Sequence, residues 1–278
     1  MVEKAAGEGG LESIKLISET EQSEYFAITY LSDGLRVKGF LGRPKRSGAL
    51  PAIIFNRGGN RELGALRGDE IVSFVESGFV TIASQYRGNA GGEGREEFGG
   101  ADVNDVLNLI PLLHKLPEVD RERIGMVGIS RGGMMTYLAL KWQTLQRINL
   151  IKVAATIGGI TDVVNYVESR PDIRLVCEGL IGSTPERSPA AYEARSAVHW
   201  PHLIDAPLLI LHGEADWRVD VSQAHQLSTL LTRAGKIVKL VTYLGDDHEL
   251  SAHEGGIPET LAWLTQYIGK PENNSFHL

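Results

Sequence analysis

A chain of 278 residues with 42% hydrophobic and 23% charged residues is the size and composition of an ordinary globular α/β protein, with a core large enough to need no covalent staples. A formal net charge of −7 gives no electrostatic case for nucleic acid or an anionic membrane surface, and a single cysteine, Cys177, excludes an intrachain disulfide and fits a reducing compartment. No apolar run approaches a membrane span, and Met1 to Gly10 lack an apolar signal stretch, so the expectation is a cytoplasmic protein. Residues 1–12, rich in Gly and Glu, read as frayed. Ile14–Ile17 and Tyr25–Leu31 read as strands, and Ser32-Asp33-Gly34 as a turn into a returning strand over Leu35–Leu41. Ala52–Phe55 is continuously apolar, as a central strand covered on both faces should be. A helix over Arg67–Ser77 ends at Gly78, and a strand over Phe79–Ala83 follows. The glycine-rich loop from Ser84 to Gly100 leads to an amphipathic helix over Asp102–Leu116.

The second half alternates strand and helix with one interruption. A strand over Arg123–Val127 leads into a helix from Met134 to Trp142, and Val153–Ile157 is the next strand. From about Thr161 to Trp200 the Pro and Gly content breaks the rhythm, and we read short helices outside the sheet. The rhythm resumes with a strand at Leu208–Leu211, a helix over Val221–Arg233, a strand at Ile237–Tyr243 and a closing helix over Pro258–Ile268. The expectation is one domain over residues 1–278: a mostly parallel central sheet, helices on both faces, and a small helical lid at 161–200.

Chemistry enters at Gly128-Ile129-Ser130-Arg131-Gly132. Gly-x-Ser-x-Gly between a buried strand and a buried helix is a nucleophile elbow, which lifts the Ser130 hydroxyl above the sheet edge at a helix N-terminus. A serine hydroxyl needs a histidine base, and the base needs an orienting carboxylate. Both should follow the serine, acid first, on loops after later strands. The loop after Leu208–Leu211 offers Glu214, Asp216 and Asp220, of which Asp216 is selected. The loop after Ile237–Tyr243 offers His248, with His253 nearby. His212, at a strand end, reads as a hydrogen-bonded core residue, and no Cys/His cluster has zinc spacing, so neither metal nor cofactor is expected. The oxyanion hole needs two donors. The Arg131 backbone N–H is one, and the Arg57-Gly58-Gly59 loop supplies the other, either through the Gly58 N–H or through the Arg57 side chain.

Five stretches together resemble the catalytic domain of the prolyl-oligopeptidase-like serine peptidases, within the α/β-hydrolase superfamily. They are Tyr30–Leu35, Tyr86-Arg87-Gly88 with Gly92–Arg95 and Phe98, Asp120–Gly133, Pro207–Val219 and Tyr243–His248, spanning most of residues 25–268. The resemblance implies an α/β-hydrolase fold, the triad Ser130, Asp216 and His248, and a substrate-binding role for Tyr86 and Arg87 in the arginine-glycine loop. With roughly fifty residues ahead of the core sheet, it also implies a stand-alone catalytic domain without the β-propeller of large members. Arg57 stands where the family often has histidine or tyrosine.

The function expected is cleavage of an ester or amide bond through an acyl-enzyme, by a serine-type peptidase acting on a short peptide. A carboxylesterase acting on a small ester is the alternative, and a non-catalytic binding protein on the same fold a remote one. The apolar residues of the lid, Tyr166 and Leu180 among them, are expected to line the substrate pocket; the competing reading is that they pack on the sheet edge. A homo-oligomer is compatible with everything the sequence shows.

Overall fold

The structure is a computed structural model that describes residues 10–270. Its centre is one nine-stranded sheet. The strands are β1 (Leu11–Glu19), β2 (Ser23–Ser32), β3 (Leu35–Pro44), β4 (Leu50–Asn56), β5 (Val80–Ser84), β6 (Val119–Ile129), β7 (Ile151–Ile157), β8 (Leu208–Gly213) and β9 (Val238–Tyr243). Their spatial order is β1-β2-β3-β5-β4-β6-β7-β8-β9. The first three form an antiparallel meander joined antiparallel to β5, and from β5 to β9 every pairing is parallel. The carboxyl ends of β4, β6, β7, β8 and β9 therefore open onto one edge, the ligand-binding edge of an open parallel sheet.

The central strands are apolar along their whole length because both faces are covered. β4, β5 and β8 are buried at every residue, and alternate side chains divide between two cores. On one face Ala52, Ile54 and Met126 pack with α2 (Val103–Leu107), α3 (Leu109–Leu113), α4 (Arg131–Gln146) and α8 (Ser222–Arg233). On the other, Ile53, Phe55 and Val127 pack with α1 (Val72–Glu76) and α9 (Ile257–Ile268). The interruption after β7 holds three short helices, α5 (Val163–Ser169), α6 (Pro171–Ile181) and α7 (Pro189–Glu193).

Three elements differ from the sequence reading. The frayed start is partly strand: residues 1–9 lie outside the described residues, but β1 begins at Leu11 and pairs along β2. The helix expected over Arg67–Ser77 is only a 3₁₀ turn at Asp69–Ile71 followed by the five residues of α1. The helix expected over Asp102–Leu116 is two pieces, α2 and α3, meeting at Asn108. Pro111 explains that break: it has no N–H to give to the carbonyl four residues back, at Leu107.

Candidate active site

β6 runs buried between β4 and β7, and at Ser130 the chain reverses into α4. Ser130 itself sits at φ 57°, ψ −122°, a conformation that costs a non-glycine residue about 1–3 kcal/mol. The flanking glycines are forced by contact: a Cβ on Gly128 would lie 2.2 Å from the Gly132 carbonyl oxygen, and one on Gly132 would lie 2.0 Å from that of Asn56. The strained residue is pinned from the neighbouring strand, since the Ser130 N–H donates to the Ile157 carbonyl at 2.8 Å. The hydroxyl is thereby held at the carboxyl edge of the sheet, beside the free amides of the α4 N-terminus.

The next two strands deliver the acid and the base. Beyond β8, Asp216 Oδ1 accepts the amides of Arg218 (2.8 Å) and Val219 (2.9 Å), which folds the loop around its own carboxylate. Beyond β9, His248 Nδ1–H donates to Asp216 Oδ2 at 2.7 Å, with both side chains buried. The two loops are tied together by the Glu214 amide on the Tyr243 carbonyl and the Ala215 amide on the Asp246 carbonyl, both 2.9 Å. Gly158, the residue after Ile157, backs the imidazole. It has φ 55°, and a Cβ there would stand 2.9 Å from His248 Nδ1. The end of β7 therefore touches the candidate nucleophile through Ile157 and the candidate base through Gly158. Burial would raise the Asp216 pKa, but donors from His212 and His248 and the Val219 amide outweigh it and hold the carboxyl well below the usual range. Asp216 is thus an anion facing an imidazole.

The loop after β4 brings Gly58 against the elbow, where a Cβ would be 3.1 Å from Ser130 Cβ. Its backbone and the Arg131 amide, in the first turn of α4, flank the serine. The Arg57 side chain is occupied elsewhere. It is 1% exposed, and its guanidinium donates to the carbonyls of Gln85, Gly58, Arg61 and Leu63, so it braces the loop from behind rather than offering an oxyanion donor.

Tyr86 and Arg87 also depart from the expectation of substrate contact. Tyr86 is fully buried between the Arg57 and Arg131 guanidinium groups, 5.1 and 5.0 Å from its ring centre, and its hydroxyl donates to the Arg57 carbonyl. Arg87 is spent on Asp105, bidentate at 2.8–3.1 Å, and on Asp33 at 2.8 Å. The physical reason is burial: a charge withdrawn from water needs partners, and these partners use up its donors. Tyr166 and Leu180 follow the packing reading of the lid. They are 7% and 4% exposed within the main core, Tyr166 stacked on Phe98 with ring centres 6.5 Å apart.

Sequence reasoning used only the amide of Arg131. Its buried side chain is bonded to Glu96 (2.6 Å) and Asp102 (2.5 Å) and lies over Tyr86 and Phe98. Glu96 also accepts the Arg61 amide, so one carboxylate joins the loop after β4 to the residue after Ser130. The signal available was an arginine directly behind the elbow serine, opening a helix whose first half is otherwise nearly apolar, which requires acidic partners from somewhere in the fold. Among the described residues no group of three or more His, Cys, Asp or Glu side chains is disposed to hold a metal. No described helix is long and apolar enough to cross a membrane.

With this geometry in place, comparison with known proteins is informative. The sequence pattern of the prolyl oligopeptidase family matches residues 66–271, most of the chain. The chain belongs to the prolyl oligopeptidase family. Within it, the Bacillus subtilis (strain 168) protein named Uncharacterized peptidase YtmA is 35% identical over 258 residues, covering 93% of this chain and 98% of its own length. Solved structures agree on the fold. A Mycobacterium tuberculosis puromycin-hydrolysing peptidase superposes with a TM-score of 0.76 at 24% identity, over 89% of this chain and 40% of that one. The uncomplexed Pyrococcus horikoshii acylaminoacyl peptidase gives 0.76 at 24%, over 92% and 43%. This chain therefore spans nearly all of YtmA but less than half of either solved peptidase. The fold is that of the α/β hydrolases, and the prolyl oligopeptidase family member described here is a serine-type peptidase.

Proposed function

We propose that Ser130, His248 and Asp216 are the catalytic triad of this peptidase, and that the described residues 10–270 belong to one α/β-hydrolase domain with a helical lid at 161–200 packed into the core. The observation that carries the reading is the 2.7 Å bond from His248 Nδ1 to an ionised Asp216, on the two loops that follow β8 and β9 at the edge where Ser130 stands. With Nδ1 committed to Asp216, Nε2 is the nitrogen left to act as base. Nε2 takes the Ser130 hydroxyl proton as Oγ attacks the scissile carbonyl. The carbonyl oxygen becomes an alkoxide, stabilised by the amides of Arg131 and Gly58. Collapse breaks the bond to the leaving amine, which receives the proton from Nε2, and the acyl group remains on Oγ. Water then repeats the sequence: Nε2 takes its proton, and the acid is released as Ser130 recovers its own. Asp216 stays ionised throughout and fixes the tautomer.

The puromycin-hydrolysing and acylaminoacyl peptidases of the same fold make a short aminoacyl or N-acylaminoacyl amide the substrate class to test first. The same chemistry accepts a small ester. Assaying aminoacyl and N-acylaminoacyl p-nitroanilides beside p-nitrophenyl esters tests the amide substrate class: turnover of the anilides supports it, and turnover of esters alone overturns it. A cytoplasmic location rests on the single, buried Cys177, and fractionation of the producing cell tests it.

A further inference from the structure

His212 lies outside this mechanism, as the penultimate residue of β8 before the acid loop, and it is completely buried. Its Nε2 has two oxygens within reach, the Val219 carbonyl at 2.8 Å and Asp216 Oδ2 at 3.1 Å. Its Nδ1 is buried without a hydrogen-bond partner among the described residues. Both neighbours of Nε2 are acceptors, so the proton sits on Nε2. A second proton, on Nδ1, would be a buried donor with nothing among the described residues to receive it. The ring is therefore a fixed dipole with its positive end aimed at the oxygen that also receives His248 Nδ1–H.

We propose that His212 is a positioning residue for the proposed catalytic acid. Resting on the reading of Asp216 as that acid, the inference assigns His212 two effects. It closes the acid loop through Val219, whose amide is bonded to Oδ1 and whose carbonyl is bonded to His212, so that the carboxylate is gripped at both oxygens. It also draws charge from Oδ2, weakening the pull of Asp216 on the imidazolium form of His248. The other charged or titratable groups facing this cluster are Asp220 on the acid loop and Tyr166 and Arg170 on the lid; the first two are acidic groups and the third a cation paired with Asp172. None of them donates to Oδ2, and all remain when His212 is changed.

The sign of the effect follows. Without the Nε2 donor the carboxylate is more basic and binds the His248 imidazolium more firmly, so the ascending limb of kcat/KM moves to higher pH. A residue that only filled space would lower stability or kcat without moving that limb.

The test compares His212→Phe, His212→Asn and His212→Gln, with Asp216→Asn as reference. Phe keeps the ring volume and removes the donor. Asn places an amide only as far as the Nδ1 position, whereas Gln reaches the Nε2 position and can donate to both oxygens. Active sites are counted with a fluorophosphonate probe, so that kcat refers to folded enzyme. For Phe and Asn we expect kcat about tenfold lower, the loss of one donor, with KM within about twofold. The ascending limb of kcat/KM moves up by about half a pH unit. Gln recovers kcat to within about threefold and returns the limb to its wild-type position. If Phe does not fold, the Asn and Gln pair decides. An ascending limb that stays in place in folded Phe or Asn protein, or a Gln variant no better than Asn, overturns the role of His212. Full activity in Asp216→Asn instead overturns the assignment of Asp216 on which it rests.

Discussion

Gly158 gives the most local test of how the base is held. It combines φ 55° with contact against His248, and Gly158→Ala perturbs both. The added Cβ would lie 2.9 Å from Nδ1, 3.0 Å from Cε1 and 3.2 Å from the His248 carbonyl oxygen. Ordinary contact requires the ring to retreat by roughly 0.5 Å. That retreat disturbs a ring whose Nδ1 is bonded to Asp216 at 2.7 Å, and with it the position of Nε2. Since a misplacement of about 1 Å costs about 10²-fold, a shift of half that size should lower kcat about tenfold. The left-handed backbone adds about 1–2 kcal/mol of destabilisation, or a Tm fall of about 2–8 °C. Gly235→Ala is the control, because Gly235 has φ 70° and open space around its Cα. It should share the fall in Tm and keep wild-type kcat. Steady-state assays on both variants, alongside thermal melts, check this. Unchanged kcat in Gly158→Ala, or an equal loss in Gly235→Ala, would refute the claim that β7 sets the position of His248.

Asp216→Asn should lower kcat by about 10⁴ at neutral pH by presenting the wrong partner to Nδ1, whereas Asp220→Asn should be mild; steady-state kinetics on the pair distinguish them, and a crippled Asp220 variant would move the acid to that residue. The Asp216 carboxyl is held below the usual range, so its stabilising contribution is complete above about pH 4 and is lost as pH falls below it; unfolding midpoints measured down the acid limb should fall less steeply in Asp216→Asn than in wild type. The kcat/KM profile of the wild-type protein should rise with pH with a limiting slope of one, because the mechanism needs one neutral base and Asp216 is already ionised across that range; a limb of slope two would bring in a second group. Asp102→Asn should leave Arg131 short of its paired charge and cost about 3 kcal/mol or more, visible as a Tm lower by about 6–12 °C with reduced activity; a melt unchanged within error would contradict the bracing role of that ion pair.

The elbow, the acid and the base were legible because each is a short polar signal placed just after a long apolar one. Val127 and Leu211 nearly end buried strand segments and Tyr243 ends the half-buried β9, and Ser130, Asp216 and His248 stand within a few residues of them. The helices α4, α8 and α9 were legible from their apolar residues and stops. What stayed hidden depends on partners distant in sequence. Composition cannot tell a solvated arginine from a buried one, so Arg57 and Arg87 looked available for substrate until the carbonyls of Gln85 and Arg61 and the carboxylates of Asp105 and Asp33 were seen around them. Glu96 and Asp102 belong to a glycine-rich loop and its junction with α2, where no periodicity says which side chain turns inward. His212 was legible as a buried, hydrogen-bonded residue, but that one of its acceptors is Asp216 appears only when the acid loop folds back past Val219. The placement of β5 between β3 and β4 is likewise a long-range fact, with no local pattern to announce it.

The central claim is that Ser130 is the nucleophile, and covalent labelling tests it most directly. Wild-type protein treated with a fluorophosphonate, digested and mapped by mass spectrometry should carry one adduct, on the peptide containing Ser130. Ser130→Ala should fold with the wild-type melting curve, take no label, and lose turnover by about 10⁶-fold. An adduct on another serine, or measurable turnover retained at the wild-type rate in Ser130→Ala, would contradict the account.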